Sequence, residues 1–250
     1  MLLAFFVSSV ALSRAGKARK RELVDIGKGG ARDALQVLAN GGVATTCVVV
    51  WAWRGGDDAA LPWFLAFAGA YAAATADTWG TEIGTLARGL PRSILTGKPL
   101  ATGLSGGVSA PGTAAEIAGA ILIGLVAPFA LVLAAHGNGV GHFVLRAHAD
   151  AAFAPYLATL GLVTLFVAPV VTGGIAGAVA DSLLGATLQD RRWCPTCARE
   201  CETDPHVCGT PTQRRRGLAW LSNDGVNFAA TATGALVAAS VYEGLRAFSR

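Results

Sequence analysis

ADTWGTEIG, Ala76–Gly84, closes a run from Leu61 to Ala76 that carries no charge. It puts two carboxylates, Asp77 and Glu82, at the end of a stretch otherwise fit for a bilayer. An ionisable group at or inside a membrane boundary is costly, so such residues mark a pathway or a reactive site. The same idea returns after a later apolar run as AVADSLLGATLQ, with Asp181 at its head. Two acid-bearing motifs, each closing a hydrophobic span, point to chemistry at one membrane face. The plainer reading of any one buried Asp is a hydrogen-bonded helix contact.

Composition supports a membrane setting. The chain is 53% hydrophobic and 14% charged, where a soluble domain carries roughly 25% charged residues. Its mean hydropathy is +0.50. The 32 glycines suit closely packed membrane helices, which use small residues at their contacts. The expected fold is all-α: a single polytopic membrane domain over residues 1–250, with about five to six transmembrane helices at roughly 20 apolar residues each. Spans are predicted at Leu35–Trp53, Leu61–Thr78, Thr113–Ala135, Tyr156–Ala180 and Val226–Val241. The opening MLLAFFVSSVAL is too short to span alone. The basic RAGKARKREL follows it, whereas a signal peptide has its charge in front, so the opening reads as the end of a membrane helix.

Basic residues set the orientation. Sixteen of the 20 Lys and Arg fall in three segments: Arg14–Arg32, the loop holding Arg88, Arg92 and Lys98, and the loop after Asp181. That side is predicted to be cytoplasmic, in an inner or plasma membrane. The polar motifs gather there too. In RDALQVLANGG, Asp33, Gln36 and Asn40 share one helical stripe; in NDGVNFAATATG, Asp224, Asn227 and Thr231 have the same spacing. These motifs, like ADTWG and ADSLLG, suggest an internal repeat with four polar helix starts facing one another, against chance resemblance of short small-residue motifs. Asp181, Gly185 and Gln189 also share a face. Asp77 and Glu82, five apart, do not on an ideal helix, and Gly80 between them permits a break.

Pro91–Thr113 is rich in Gly, Ser and Thr, with Arg92 and Lys98 and no acid. Free backbone N–H groups, hydroxyls at Ser105 and Ser109 around Gly106 and Gly107, and two cations suit phosphate binding. No Walker loop is present, and the bland reading is a flexible connector. Residues 191–216 form a cytoplasmic insertion. There Cys194-x2-Cys197 and His206-x-Cys208 give four soft ligands in two pairs, the logic of a structural Zn²⁺ site. Cys201 could replace His206, and the alternatives are idle cysteines or a redox pair. Cys47 reads as packing. Four Asp residues at four helix ends favour a Mg²⁺–phosphate site with Asp77 and Asp181 on the metal. His136, His142 and His148 fall on the far side.

The motifs RDALQVLANGG, ADTWGTEIG, GLSGGVS, ADSLLGATLQ, CPTC…HVCGTPT and WLSNDGVNF, in that order, resemble the integral-membrane family that includes the chloroplast phytyl-phosphate kinase of vitamin E (tocopherol) synthesis. The likeness runs from about Arg14 to Val241. Members usually have additional N-terminal membrane helices, and this chain starts late in that region. The resemblance implies a membrane kinase that phosphorylates phytyl phosphate or another isoprenoid monophosphate, with CTP the expected donor and Mg²⁺ the expected ion. On that reading Asp77, Glu82, Asp181 and Asp224 bind Mg²⁺ or orient the attacking phosphate. Arg92, Lys98 and Ser105–Ser109 hold nucleotide phosphates. Asp33, Gln36, Asn40, Gln189, Asn223 and Asn227 complete the polar floor. The expected partners are the bilayer, an isoprenoid phosphate and a nucleoside triphosphate, with no nucleic acid. An ion-coupled transporter and a lipid nucleotidyltransferase are the competing classes.

Overall fold

Stretches of about 20 apolar residues satisfy their own backbone polar groups as helices. The computed structural model describes residues 1–15, 34–135 and 160–248. Among them are α1 (Leu2–Arg14), α2 (Ala34–Trp53), α3 (Leu61–Gly84), α4 (Ala110–Ala135), α5 (Leu160–Thr187) and α6 (Asn223–Phe248). Four of these, α2, α4, α5 and α6, are long and apolar enough to cross a membrane. α1, at 13 residues, is not.

α3 is the axis of the molecule, in contact with α1, α2, α4, α5 and α6. Its run of Ala and Gly, Ala66 to Ala76, is what permits this, because small side chains let five neighbours approach. One close approach joins three helices. A Cβ on Gly69 of α3 would lie 2.4 Å from the Gly234 carbonyl oxygen of α6, and one on Gly173 of α5 would lie 2.5 Å from the same oxygen. α5 also contains a π turn, Val163–Val167. Pro169 has no N–H to offer the Leu165 carbonyl, and the Ala168 N–H reaches back five residues to Val163.

Three expectations change. The helix ending in ADTWGTEIG runs unbroken through Gly80 to Gly84. The four polar motifs are not four helix starts: Asp77 and Asp181 lie near the ends of α3 and α5, whereas Asp224 begins α6. The fold is mostly helical rather than all-α. A short hairpin pairs β1 (Arg92–Ser93) with β2 (Gly107–Val108). The Cys/His segment forms an antiparallel sheet of β3 (Arg191–Cys194), β4 (Arg199–Cys201) and β5 (Gln213–Arg216), in the order β4-β3-β5. Polar cross-links explain why so short a segment holds strands. Arg192 reaches Asp190 (3.0 Å), Asp204 (2.5 Å) and Thr212 (2.6 Å) at once.

Candidate functional site

α3 and α5 end where α2, α4 and α6 begin, so one end of the bundle collects both kinds of helix terminus. A cavity of about 380 Å³ opens there. Of the residues singled out from sequence, Gln36, Asn40, Asp77, Glu82, Ser105, Gly106, Gly107, Ser109, Asp181, Asn223 and Asn227 all line it. Asp33 lies outside the described residues, as do His136, His142 and His148. Asp224 and Gln189 are buried but do not line the cavity. Arg92 and Lys98 are exposed on the hairpin instead, where Arg92 Nη1 donates to the Gly97 carbonyl at 2.9 Å. Nearness to the acids in sequence did not bring these two cations into the site.

At the floor, the side chains of Asp77 and Asp181 meet within hydrogen-bonding reach. Two ionised carboxylates do not rest in contact without a proton or a cation between them. The Asn227 amide, oriented to satisfy both neighbours, donates to Asp181 Oδ1 at 3.1 Å and to the Asn223 carbonyl at 3.3 Å. Asn40 Nδ2 donates to the Gln36 carbonyl at 2.9 Å, and Thr231 Oγ1 ties α6 to α2 through the Ala39 carbonyl at 3.0 Å. The Ser13 hydroxyl of α1 donates to Glu82 Oε1, so α1 helps close the wall.

Two further acids line the cavity that sequence reading missed, Glu116 and Glu202. Glu116 lies in the second turn of α4 and packs where Gly80 leaves room: a Cβ on Gly80 would sit 2.5 Å from Glu116 Cγ. Its signal was present, as the single charge in the run Thr113–Ala135. Glu202 had no such signal, because its place depends on how the Cys/His sheet docks. It accepts from Ser105 N (2.8 Å), Ser105 Oγ (2.9 Å) and Gln189 Nε2 (2.8 Å). Arg191, 3% exposed, lies 3.8 Å from it and donates to the Ser105 carbonyl at 2.6 Å. Burial pushes the Glu202 carboxyl above its ordinary range, against the opposing pull of Ser105, Arg191 and Gln189. The loop these bonds hold sits hard on α5. Gly106 has φ +81°, and a Cβ there would lie 2.7 Å from Ala186 Cα, so only glycine fits. The cavity therefore has five carboxylates, and among the described residues no Lys, Arg or His lines it.

The sheet itself carries a second cluster. One ligand atom each from Cys194, Cys197, His206 and Cys208 lie within 4.8 Å of one another, a group that could hold a metal ion. Cys194 and Cys208 Sγ are 3.6 Å apart, and His206 Nδ1 is 3.2 Å from Cys208 Sγ. The Cys197 N–H points at Cys194 Sγ from 3.4 Å. The Cys208 thiol, bonded to Thr210 and His206, is brought down to about 6, while the neighbouring Cys197 thiol is pushed up to about 11 by its contacts with Cys208 and Cys194. Cys201, fully buried, stands outside the cluster, so His206 is the fourth member. Thr203 and Glu202 of this segment are cavity residues. The insertion is thus a wall of the cavity as well as a staple for itself.

The family model described as integral membrane protein DUF92 matches residues 1–235. "Protein PGR" of Arabidopsis thaliana is 32% identical over 243 residues, covering 91% of this chain and 75% of that protein. An uncharacterized membrane protein of Methanocaldococcus jannaschii is 29% identical over 246 residues, covering 97% of this chain and 75% of its own length. No solved structure matches.

Proposed function

The chain belongs to the integral membrane DUF92 family, and we propose that it is a membrane phosphotransferase. It converts an isoprenoid monophosphate, phytyl or another prenyl phosphate, to the diphosphate at the expense of a nucleoside triphosphate, with CTP the expected donor. The observation that carries this reading is the Asp77–Asp181 contact beside Glu116 in a cavity with five carboxylates and no cation in its described lining. Such a cavity repels bare phosphate, and admits it together with a divalent ion. The donor set is all hard oxygen, which fits Mg²⁺. Asp77, Asp181 and Glu116 would hold the ion, which when bound supplies charge neutralisation at the transferring phosphate.

The remaining roles fall to this chain's polar groups. Asn223, Asn227, Gln36 and Asn40 offer amides, and Ser105 to Ser109 offer hydroxyls and backbone N–H groups, to fix phosphate oxygens. An oxygen of the lipid phosphate attacks the γ-phosphorus of the donor. The bond from that phosphorus to the β,γ-bridging oxygen breaks, and the nucleoside diphosphate leaves. No general base is required, because a phosphate monoester is already anionic near pH 7. The Cys₃His cluster suits a closed structural Zn²⁺ site, with no position open for substrate. The excess of basic residues on this side supports a cytoplasmic cavity. α3 counts as a fifth span on this reading.

The close contact of α3, α5 and α6 at Gly69, Gly173 and Gly234 weighs against a carrier, because a polar path would have to pass through touching backbones. The test is mass spectrometry of products after purified protein meets phytyl, geranylgeranyl and farnesyl phosphates with Mg²⁺ and each nucleoside triphosphate. Lipid diphosphate plus nucleoside diphosphate is expected. Pyrophosphate and a nucleotidyl lipid would instead make it a nucleotidyltransferase. Ion-dependent uptake into proteoliposomes without turnover would make it a carrier.

A further inference from the structure

A second, apolar cavity of about 450 Å³ lies between α2, α3 and α6, lined by Val43, Cys47, Trp63, Ala66, Ala235 and Ala239 among others. It shares a seam with the polar cavity. On α2, Gln36 and Asn40 line the polar cavity, while Val43 and Cys47 continue the same stripe into the apolar one. On α6, Asn223 and Asn227 are followed at multiples of four by Ala235 and Ala239. Between the nearest lining residues, Asn40 to Val43 and Asn227 to Ala232, the step is about 5 Å along α2 and about 8 Å along α6 at the helical rise. The groove reaches the outside of the bundle, where Trp63 and Leu236 of its lining are 37% and 69% exposed. Only 17% of the apolar window of α2 is buried, against 39 to 44% for the other three candidate spans.

We infer that this groove holds the hydrocarbon chain of the lipid monophosphate and limits the chain's length. The inference rests on the phosphotransferase reading above. A chain attached to a head in the polar cavity must leave it within the bilayer, and this seam is the apolar exit next to that cavity. The Thr231–Ala39 hydrogen bond joins α2 and α6 at that level, so the chain passes over the joint on its lipid side. From Asn227 to Ala239 the reach is about 18 Å at the helical rise, well short of the ~30 Å hydrocarbon core. A geranylgeranyl or phytyl chain is matched to that reach. An undecaprenyl chain overruns it.

Photocrosslinking tests the groove without needing turnover. The probe is geranylgeranyl monophosphate with a diazirine at the chain end, incubated with the full-length wild-type protein. Adducts on Pro62, Trp63 or Ala239, removed by excess unlabelled geranylgeranyl phosphate, are expected. Adducts confined to the outward face of α4, at Leu125 and Phe129, or groove adducts that unlabelled lipid does not compete, overturn it. So does a groove that never labels because protein covers it. Competed groove adducts without any phosphoryl transfer would sink the reaction and leave the groove assigned. Kinetics give the second arm. In Ala235→Trp, kcat/KM for geranylgeranyl phosphate relative to dimethylallyl phosphate should fall about tenfold or more, the scale of discrimination set by apolar pocket fit. An unchanged ratio overturns the inference.

Discussion

The helical bundle and the Cys/His sheet are held together by opposite means. In the bundle, helices approach until a Cβ at Gly69 or Gly173 would strike the Gly234 carbonyl. The core around α3 is mostly Ala and aromatic residues. In the sheet the fixed points are polar: a buried Arg191, the Arg192–Asp190–Asp204–Thr212 cross-links and four potential metal ligands. Lipid explains the first, since apolar side chains gain nothing by leaving it and close van der Waals contact must do the holding. Small size explains the second, since so short a segment buries too little apolar surface to hold itself. The two regions meet at Glu202 and Ser105.

The largest effect should come from the floor, where the bundle alone supplies the acids. Asp77→Asn and Asp181→Asn keep the side-chain shape and remove charge. If these groups hold the ion, turnover should fall on the order of a hundredfold or more, as when one electrostatic stabiliser of a transition state is deleted. Near-normal turnover in both, with only the melting temperature shifted, would make the pair a packing contact.

Next is the sheet. Purified protein should carry about one zinc per chain, and Cys194→Ser should lose it. Because Glu202 and Thr203 are in the cavity wall, turnover should fall by about tenfold as well, the lower end of what supporting-shell changes cost. Far-ultraviolet circular dichroism should stay that of the intact bundle. Full metal content in the mutant refutes the ligand set, and collapse of the helical signal refutes the separation of the two regions.

Gly173→Ala probes the bundle in return. Its Cβ would lie 2.5 Å from a backbone oxygen that cannot swing away. A loss of about 1–3 kcal/mol is expected from overpacking, read as thermal unfolding in detergent, with metal content unchanged. An unshifted unfolding curve would mean the three helices are looser than they look.

The smallest effect concerns the meeting point. The folded state raises the Glu202 carboxyl above its ordinary value of 4.5, chiefly by burial, so it holds the proton more tightly than the unfolded chain does. Stability from this group is therefore present at low pH and is lost as pH rises from about that value through the folded one, by at most about 1.4 kcal/mol per pH unit. Glu202→Gln should flatten that slope. An equally steep decline in the mutant would assign it to other groups.

Where the sequence was legible, the reason is that chemistry and periodicity coincide. Asp77 and Asp181 stand out against uncharged runs, Asn40 and Asn227 sit on helical stripes, and the Cys and His pairs announce themselves by spacing. Glu116 was equally visible as a lone acid, but a single Glu in a helix has a plain reading as well. Glu202 was not legible, because its neighbours Ser105 and Gln189 are 97 and 13 residues away and are brought to it by docking of the sheet. For the same reason Arg92 and Lys98 read as site residues yet stand outside. A hairpin decides which way they face, and composition does not.

The position of Glu202 also bears on the order of assembly. Residues 188–222 lie between α5 and α6, so this cavity wall is made by a segment that folds in water between two that fold in lipid. The described helices that precede it can be in the bilayer before it exists, and α6, with Asn223 and Asn227, enters only after it has been synthesised. Completion of the site therefore waits on two solvents in turn. A chain that inserts every helix correctly but folds this segment late would be a finished membrane protein with an unfinished cavity.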